Sequence, residues 1–404
     1  MRTAEASDAA HPGSAPACRV LARFPHPEPP RGPRRRVLPV FLPFAGCPGR
    51  CVFCNQPAQT GQAPEPLNVV YERLARRLAE LPSPGPDARP PGSASPESAT
   101  PESAAPELAF YGGTFTALPA PWPRRFLELS RQHLMAGRLS RVRCSTRPDA
   151  VDALMLAELK TLGLSLVELG VQSFDDGALA ASRRGYDGEA ALRGCRAVRE
   201  AGLSLGVQLM PGMPGQTPAA FRTDIAQTSA LAPELARLYP CLVLEGTALA
   251  DSWRGGMYCP WPLPATVDEL ARALLVLWEA GVPAARIGLA EQEGLTVLAG
   301  PRHPALGQMV RARALFSRVR RAVAELAHVV DLTGDDRAAD AQPTNVEPVN
   351  AGTTNVGGAN LLLLPRRLRG EALGQLGALA ADYAGIGLTV RFWDEPDLAL
   401  GAQR

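Results

Sequence analysis

Between residues 37 and 280 the chain alternates six short β-rich runs with six helical patterns. That alternation narrows the fold more than any other feature, because strands separated by helices pair in parallel through crossover connections. The spacing predicts strands over Val37 to Leu42, Leu108 to Tyr111, Val142 to Thr146, Leu166 to Val171, Leu203 to Met210 and Leu235 to Val243. Helices fall over Val69 to Leu81, Pro123 to Met135, Ala150 to Leu162, Gly188 to Ala201, Pro218 to Leu231 and Val267 to Ala280. An open barrel and a doubly wound sheet share this periodicity. Side-chain parity separates them. Leu203, Leu205, Val207 and Leu209 share one face of the fifth run, and Ser204, Gly206, Gln208 and Met210 the other; the fourth run sets Val167, Leu169 and Val171 against Glu168, Gly170 and Gln172. A sheet covered by helices on both sides is apolar on both faces. A small and polar face therefore predicts a lumen that binds something, with an internal hydrogen-bond network as the structural alternative. The expected fold class is α/β, a partial (β/α)6 TIM-like barrel with a small C-terminal appendage.

Residues 1–36, rich in Pro, Ala, Arg and Gly without periodicity, are expected to form a flexible arm. The barrel core is expected over 37–330, with a Pro/Ser-rich insertion at 82–106 and a final helix over Pro304 to Ala327. A linker at 331–359 then leads to a small α/β unit at 360–404, read as strand Asn360 to Leu364, helix Gly370 to Ala384 and strand Leu388 to Phe392. Lys+Arg 42 against Asp+Glu 40 makes no global electrostatic case for a nucleic-acid or membrane partner. No run approaches the ~18–20 apolar residues of a spanning helix, and the polar N-terminus lacks the apolar block of a signal peptide. The expected location is the cytoplasm, with no membrane partner. Lys160 is the single lysine, so no Gly-Lys-Ser/Thr phosphate loop exists. The histidines, His11, His26, His133, His303 and His328, form no metal-spaced pair.

Three of the eight cysteines are bunched in Phe44-Ala-Gly-Cys47-Pro-Gly-Arg-Cys51-Val-Phe-Cys54. This segment follows the first predicted strand, at the carboxyl end of the sheet, where barrel enzymes keep their sites. Three thiolates spaced Cx3Cx2C can wrap one face of an iron–sulfur cube and leave one iron free to bind a cofactor or substrate. A structural zinc would want a fourth protein ligand, and no His or Cys stands nearby in sequence to supply it. Cys18, Cys144, Cys195, Cys241 and Cys259 are scattered singly and read as small buried hydrophobes.

The Cx3Cx2C spacing with Phe53 before the third cysteine resembles the radical S-adenosylmethionine superfamily. Further segments agree in order: Tyr111-Gly-Gly-Thr-Phe115, Cys144-Ser-Thr-Arg-Pro-Asp149, Glu168-Leu-Gly-Val-Gln-Ser173 and Met210-Pro-Gly-Met-Pro-Gly-Gln216. Arg237-Leu-Tyr-Pro-Cys-Leu-Val243 with Glu245-Gly-Thr247 is similar to the catalytic subunit of Elongator and its stand-alone bacterial relatives, as, more weakly, are Arg286-Ile-Gly-Leu289 and Gly300-Pro-Arg-His-Pro304. The resemblance implies a [4Fe-4S] cluster on Cys47, Cys51 and Cys54, S-adenosyl-L-methionine as cofactor, and modification of a tRNA wobble uridine. It also implies an electron donor such as flavodoxin or ferredoxin. Elongator subunits have a longer spacing before the second cysteine and an appended acetyltransferase domain, for which about 75 residues after position 330 are too few. In related anaerobic coproporphyrinogen dehydrogenases a Glu stands at the place of Ser145 and an Asp at that of Gln208.

By position, Phe53, Gly112, Gly113, Thr114, Ser145, Arg147, Glu168, Gln172, Gln208 and Met213 are expected at the cofactor, with Glu168 and Arg147 alternatively pairing with each other. Gly112 and Gly113 would present backbone to the methionine moiety, and Met213 with Pro214 would line the adenine. Arg237 and Tyr239 share one face of the sixth run, where Tyr can stack a base and Arg hold phosphate; a buried cation–π pair is the structural alternative. Besides RNA modification, two readings stay open: a radical oxidoreductase on a small molecule such as a porphyrinogen, and a non-enzymatic protein that carries the cluster or handles the cofactor.

Overall fold

The computed structural model describes residues 18–29, 36–82, 105–290, 292, 294–333 and 359–403. Nearly all of the insertion expected at 82–106 and of the linker expected at 331–359 lies outside the described residues, as do residues 1–17. The chain divides into two compact units, one of residues 27–314 and one of residues 1–26 with 315–404.

The smaller unit begins with strand β1, Cys18–Phe24. The larger unit holds β2 Val37–Phe41, β3 Glu107–Tyr111, β4 Arg141–Thr146, β5 Leu164–Gln172, β6 Ser204–Leu209, β7 Leu235–Leu238, β8 Val243–Leu244, β9 Ala284–Ile287 and β10 Val297–Ala299. The smaller unit closes with β11 Leu361–Pro365, β12 Thr389–Trp393 and β13 Leu398–Gln403.

In the larger unit β2, β3, β4, β5, β6, β7 and β9 pair in that order, every neighbour parallel, as a seven-stranded sheet curled into a half-barrel. The connecting helices Leu67–Ala79, Trp122–Met135, Ala153–Thr161, Gly188–Glu200, Pro218–Leu231 and Leu263–Glu279 stand at the expected positions to within a few residues. Side chains accepting a free N–H set several starts: Asp152 from Met155 at 2.8 Å, Asp187 from Ala190 at 2.7 Å and Thr217 from Ala220 at 3.1 Å. Side-chain parity is as expected. Leu203, Leu205, Val207 and Leu209 join Val167, Leu169 and Val171, Phe221 and Leu270 in one core cluster, while Glu168, Gln172, Gln208 and Arg237 lie on the opposite face of their strands.

Two details differ from expectation. The sixth run breaks after Leu238 because Pro240 has no N–H to continue a ladder; beyond it β8 joins β10 in an antiparallel two-stranded ribbon. A seventh parallel strand, β9, stands beyond the six expected, since Ala-Ala-Arg-Ile carries no alternation of its own.

The smaller unit is a four-stranded sheet in the order β1-β13-β11-β12. The expectation of a loose arm over 1–36 fails at Cys18–Phe24, which pairs antiparallel with β13 from Cys18 opposite Gln403 to Phe24 opposite Leu398. Cys18 and Val20 pack on Leu361, Leu363 and Ala399. The partner lies at the other end of the chain, so local composition could not announce it. The helix expected over Gly370 to Ala384 is instead broken into Arg369–Ala372 and Ala380–Gly385. Between them Gly374, Leu376 and Gly377 adopt φ of 72°, 54° and 77°, which no α-helix admits. Among the described residues no helix is long and apolar enough to cross a membrane.

Candidate functional site

The cysteine segment follows β2 at the carboxyl end of the parallel sheet. Cys47, Cys51 and Cys54 are each half-buried. The neighbouring turn after β3 carries Gly112 and Gly113, at φ of +76° and +59°. Gly113 is required there: a Cβ would sit 2.2 Å from the Ala45 carbonyl oxygen and 2.6 Å from that of Leu42. The close approach is held by Gln56, whose Oε1 accepts the Gly113 N–H at 2.9 Å and the Phe44 N–H as well. Thr114 donates its N–H to Ala45 at 2.7 Å, and its hydroxyl lies 3.4 Å from Cys47 Sγ. With the N–H groups of Gly113 and Thr114 bonded internally, the turn has carbonyl oxygens left to offer, which suits an ammonium group.

Arg184, buried between the helices Asp176–Ala181 and Gly188–Glu200, donates to Cys51 Sγ at 3.1 Å. Its other donors go to the Gly170 carbonyl and, at 3.0 Å, to the Tyr186 hydroxyl, which itself donates to the Val171 carbonyl at 2.9 Å. Burial opposes the Arg184 charge, yet Tyr186 and Cys51 beside it raise its pKa on balance. Burial first, then the neighbouring Cys51 thiol, pushes Cys54 up to about 12.

The donor set fits an iron–sulfur cube. Tetrahedral zinc with Zn–S of about 2.3 Å draws its sulfurs to roughly 3.8 Å apart and at a structural site takes four protein ligands, whereas this loop offers three thiols. A cube places each thiolate on a separate iron and so tolerates wider spacing. Phe53 does not project into open space. It joins Val52, Met213, Val243, Leu249 and Ala250 in a small apolar cluster packed against Cys51, Cys54, Trp253 and Tyr258. Met213 is 1% exposed within that cluster, so it backs the cysteine loop.

Inside the half-barrel lies a polar network. Glu168, its side chain 4% exposed, binds Arg143 at 3.3 Å and Arg237 through Nε. Arg237 also donates to the hydroxyls of Tyr239 at 3.2 Å and Tyr111 at 3.3 Å. Burial opposes the Arg237 charge, but Glu168 raises its pKa on balance, and burial with Glu168 pushes Tyr111 up to about 12. Gly206 makes room for the carboxylate, since a Cβ there would lie 2.9 Å from Glu168 Cγ. The Glu168–Arg147 pair considered from sequence does not form: Arg147 binds Asp149 at 2.8 and 2.7 Å and lies over the Tyr186 ring. Gln208 donates to Gln172 at 3.3 Å. Gln172 is 5% exposed and held at φ of +69°, a backbone cost of order 1–3 kcal/mol that its surroundings must offset. Ser145 is half-buried on β4, opposite Glu168 in the β4–β5 register.

Gln56, Arg143, Arg184 and Tyr186 are site residues that sequence reasoning missed. Arg143 carried a signal, a charged residue two positions before Ser145 on the inward face of a strand. Gln56, Arg184 and Tyr186 carried none: Gln56 opens the five-residue helix Gln56–Thr60, too short to show a period, and the other two lie on a loop.

Residues 41–227 match the family model of the radical SAM superfamily, and residues 233–315 match the Radical_SAM C-terminal domain. The tRNA uridine(34) acetyltransferase of Methanocaldococcus infernus is 30% identical over 138 residues, 33% of this chain and 26% of that protein. The tRNA uridine(34) acetyltransferase of Dehalococcoides mccartyi is 28% identical over 247 residues, 54% of this chain and 50% of that protein. Elongator complex protein 3 of Mus musculus is 27% identical over 190 residues, 41% of this chain and 34% of that protein. The chain thus spans half or less of the length of these relatives.

Proposed function

This chain belongs to the radical SAM superfamily, its radical SAM domain at 41–227 followed by its C-terminal domain at 233–315, and from that premise we propose that it is a cytoplasmic enzyme that modifies a uridine of tRNA. The chemistry rests on one observation above others: the three-thiol loop is clamped by Gln56 against the Gly112–Gly113 turn at the carboxyl end of the sheet. The substrate rests on the relatives, which are named for tRNA uridine(34) acetylation and as Elongator complex protein 3.

When bound, a [4Fe-4S] cluster on Cys47, Cys51 and Cys54 supplies the electron, received from a flavodoxin or ferredoxin, that cleaves S-adenosyl-L-methionine reductively. The carbonyl oxygens of Gly112 and Gly113, on a turn held in place by the Gln56 bridge, would accept hydrogen bonds from the amino group of the methionine moiety. Arg184 offsets the negative charge gathered on the thiolates. Phe53 and Met213 keep water from the cysteine loop. Ser145, Gln172 and Gln208 offer polar groups to the ribose or carboxylate of the cofactor. In the lumen the Arg237 charge is already balanced by Glu168, so its contribution to substrate binding is to fix the Tyr239 hydroxyl and ring, on which a base can stack.

The test is anaerobic reconstitution with iron and sulfide, reduction, and assay of methionine and 5′-deoxyadenosine with and without bulk tRNA, followed by nucleoside mass spectrometry. Cofactor cleavage with a new mass on a uridine is the expected result. Cleavage that leaves every tRNA nucleoside unchanged would overturn the substrate, and absence of cleavage the enzyme.

A further inference from the structure

Asp224 belongs to the helix Pro218–Leu231 and is 1% exposed. Its carboxylate gathers donors from two different turns. Oδ1 accepts the Phe174 N–H at 2.7 Å; Oδ2 accepts the Ser173 hydroxyl at 2.7 Å and the Gln216 side-chain amide at 2.8 Å. Gln216 extends the link, its Oε1 accepting the Gly212 N–H at 2.7 Å. Ser173 and Phe174 follow β5 directly after Gln172, and Gly212 to Gln216 follow β6 and enclose Met213. One buried carboxylate therefore ties the left-handed turn at Gln172 to the turn that carries Met213.

We propose that Asp224 is a positioning residue for S-adenosyl-L-methionine: its ionised carboxylate sets the Gln172 turn and the Met213 turn in the mutual arrangement the cofactor needs, without touching the cofactor itself. This rests on the proposed cofactor reading and on nothing about the RNA substrate. A carboxylate is suited to the task because its charge strengthens all three bonds at once, whereas protonation removes that charge and places a donor on the Oδ1 lone pair that none of Ser173, Gln216 and Phe174 uses.

The surroundings make that loss accessible at ordinary pH. Burial pushes Asp224 up to about 6, opposed by its three hydrogen bonds and assisted by Asp175. Asp175, from the turn after β5, is the charged group facing it. From the neighbouring helix Leu263–Glu279, Glu269 instead binds Arg222, on another face of the Asp224 helix, at 2.6 Å. Arg222 and Glu269 thus compensate each other and leave the carboxylate without a cation.

The experiment measures affinity of the anaerobically reconstituted full chain for S-adenosyl-L-methionine by equilibrium dialysis between pH 5.5 and 7.5, beside the Asp224→Asn and Ser173→Ala variants. Loss of one charge-assisted bond predicts that Asp224→Asn binds about tenfold more weakly at pH 7.5, the equivalent of ~1.4 kcal/mol, with iron content unchanged because none of the groups bonded to Asp224 is a cysteine. The parent should weaken as pH falls through about 6, and the Asn variant should show no such inflection. Ser173→Ala, which keeps the carboxylate, should weaken binding less and retain the inflection. Parent and Asp224→Asn proteins that bind alike, or share one pH profile, would overturn the positioning role while leaving the functional reading intact. A parent that binds no cofactor would overturn both.

Discussion

The polar lumen offers the sharpest quantitative test, by replacing Glu168 with Gln. The carboxylate lies 3.3 Å from Arg143 and also binds Arg237, with the three side chains 4%, 9% and 14% exposed. Little solvent reaches the trio to screen it. At an effective dielectric of about 20, a unit pair at this separation is worth roughly 5 kcal/mol, and desolvation of the ions offsets part of that. The amide would keep the shape and one acceptor but leave two guanidinium groups facing each other, with the Glu107 carboxylate 3.6 Å from Arg143 as the remaining counter-charge. Removing one partner of a buried pair typically costs about 3–5 kcal/mol, and the partial relief from Glu107 places this substitution near ~3 kcal/mol. That is a large share of the ~5–15 kcal/mol that holds a typical protein folded. Urea unfolding of the cofactor-free protein at pH 7.5 should show a lower midpoint with unchanged slope. Combining Glu168→Gln with Arg237→Gln should cost less than the sum of the two alone by ~2 kcal/mol, since the second change removes a stranded charge. A loss under ~1 kcal/mol for Glu168→Gln, or strict additivity in the double variant, would show that the trio behaves like an exposed ion pair and sink this account of it.

Cys51→Ala should abolish the broad brown absorption of the reconstituted protein while leaving the far-ultraviolet circular dichroism unchanged; full iron and sulfide content in that variant would contradict the cluster assignment. Gly113→Ala forces a side chain into φ of +59° and to 2.2 Å from a backbone carbonyl, so it should lower stability by ~2 kcal/mol or more and weaken cofactor binding, whereas Gly49→Ala, with open space around the added methyl, should be silent in thermal melts. Asp224 also predicts a sign for stability. A carboxyl raised from the ordinary 3.8 to about 6 binds its proton more tightly in the folded than in the unfolded chain, so its contribution increases as pH falls through about 6 and is complete below 3.8. The whole shift is worth ~3 kcal/mol. The melting temperature of the parent relative to Asp224→Asn should therefore rise between pH 7.5 and pH 5, opposite to the trend in cofactor affinity, and a flat difference would contradict the assignment.

Much of what depends on neighbours along the chain was legible in the amino-acid sequence, although the strand end before Pro240 and the helix break at Gly374 to Gly377 were not. Alternating strands and helices, the inward and outward parity of β5 and β6, and the place of Cys47, Cys51 and Cys54 after the first parallel strand all follow from local periodicity, because side chains two apart on a strand share a face whatever the rest of the fold does. Contacts between groups far apart in sequence were settled by folding in three dimensions. It paired Cys18–Phe24 with the last strand, gave Glu168 to Arg143 and Arg237 instead of Arg147, set Gln56 between the cysteine loop and the glycine turn, and brought Arg184 to Cys51. Each of these contacts satisfies a polar group that folding removes from water, and which partner is within reach is known only once the sheet has curled and its loops have closed over one end.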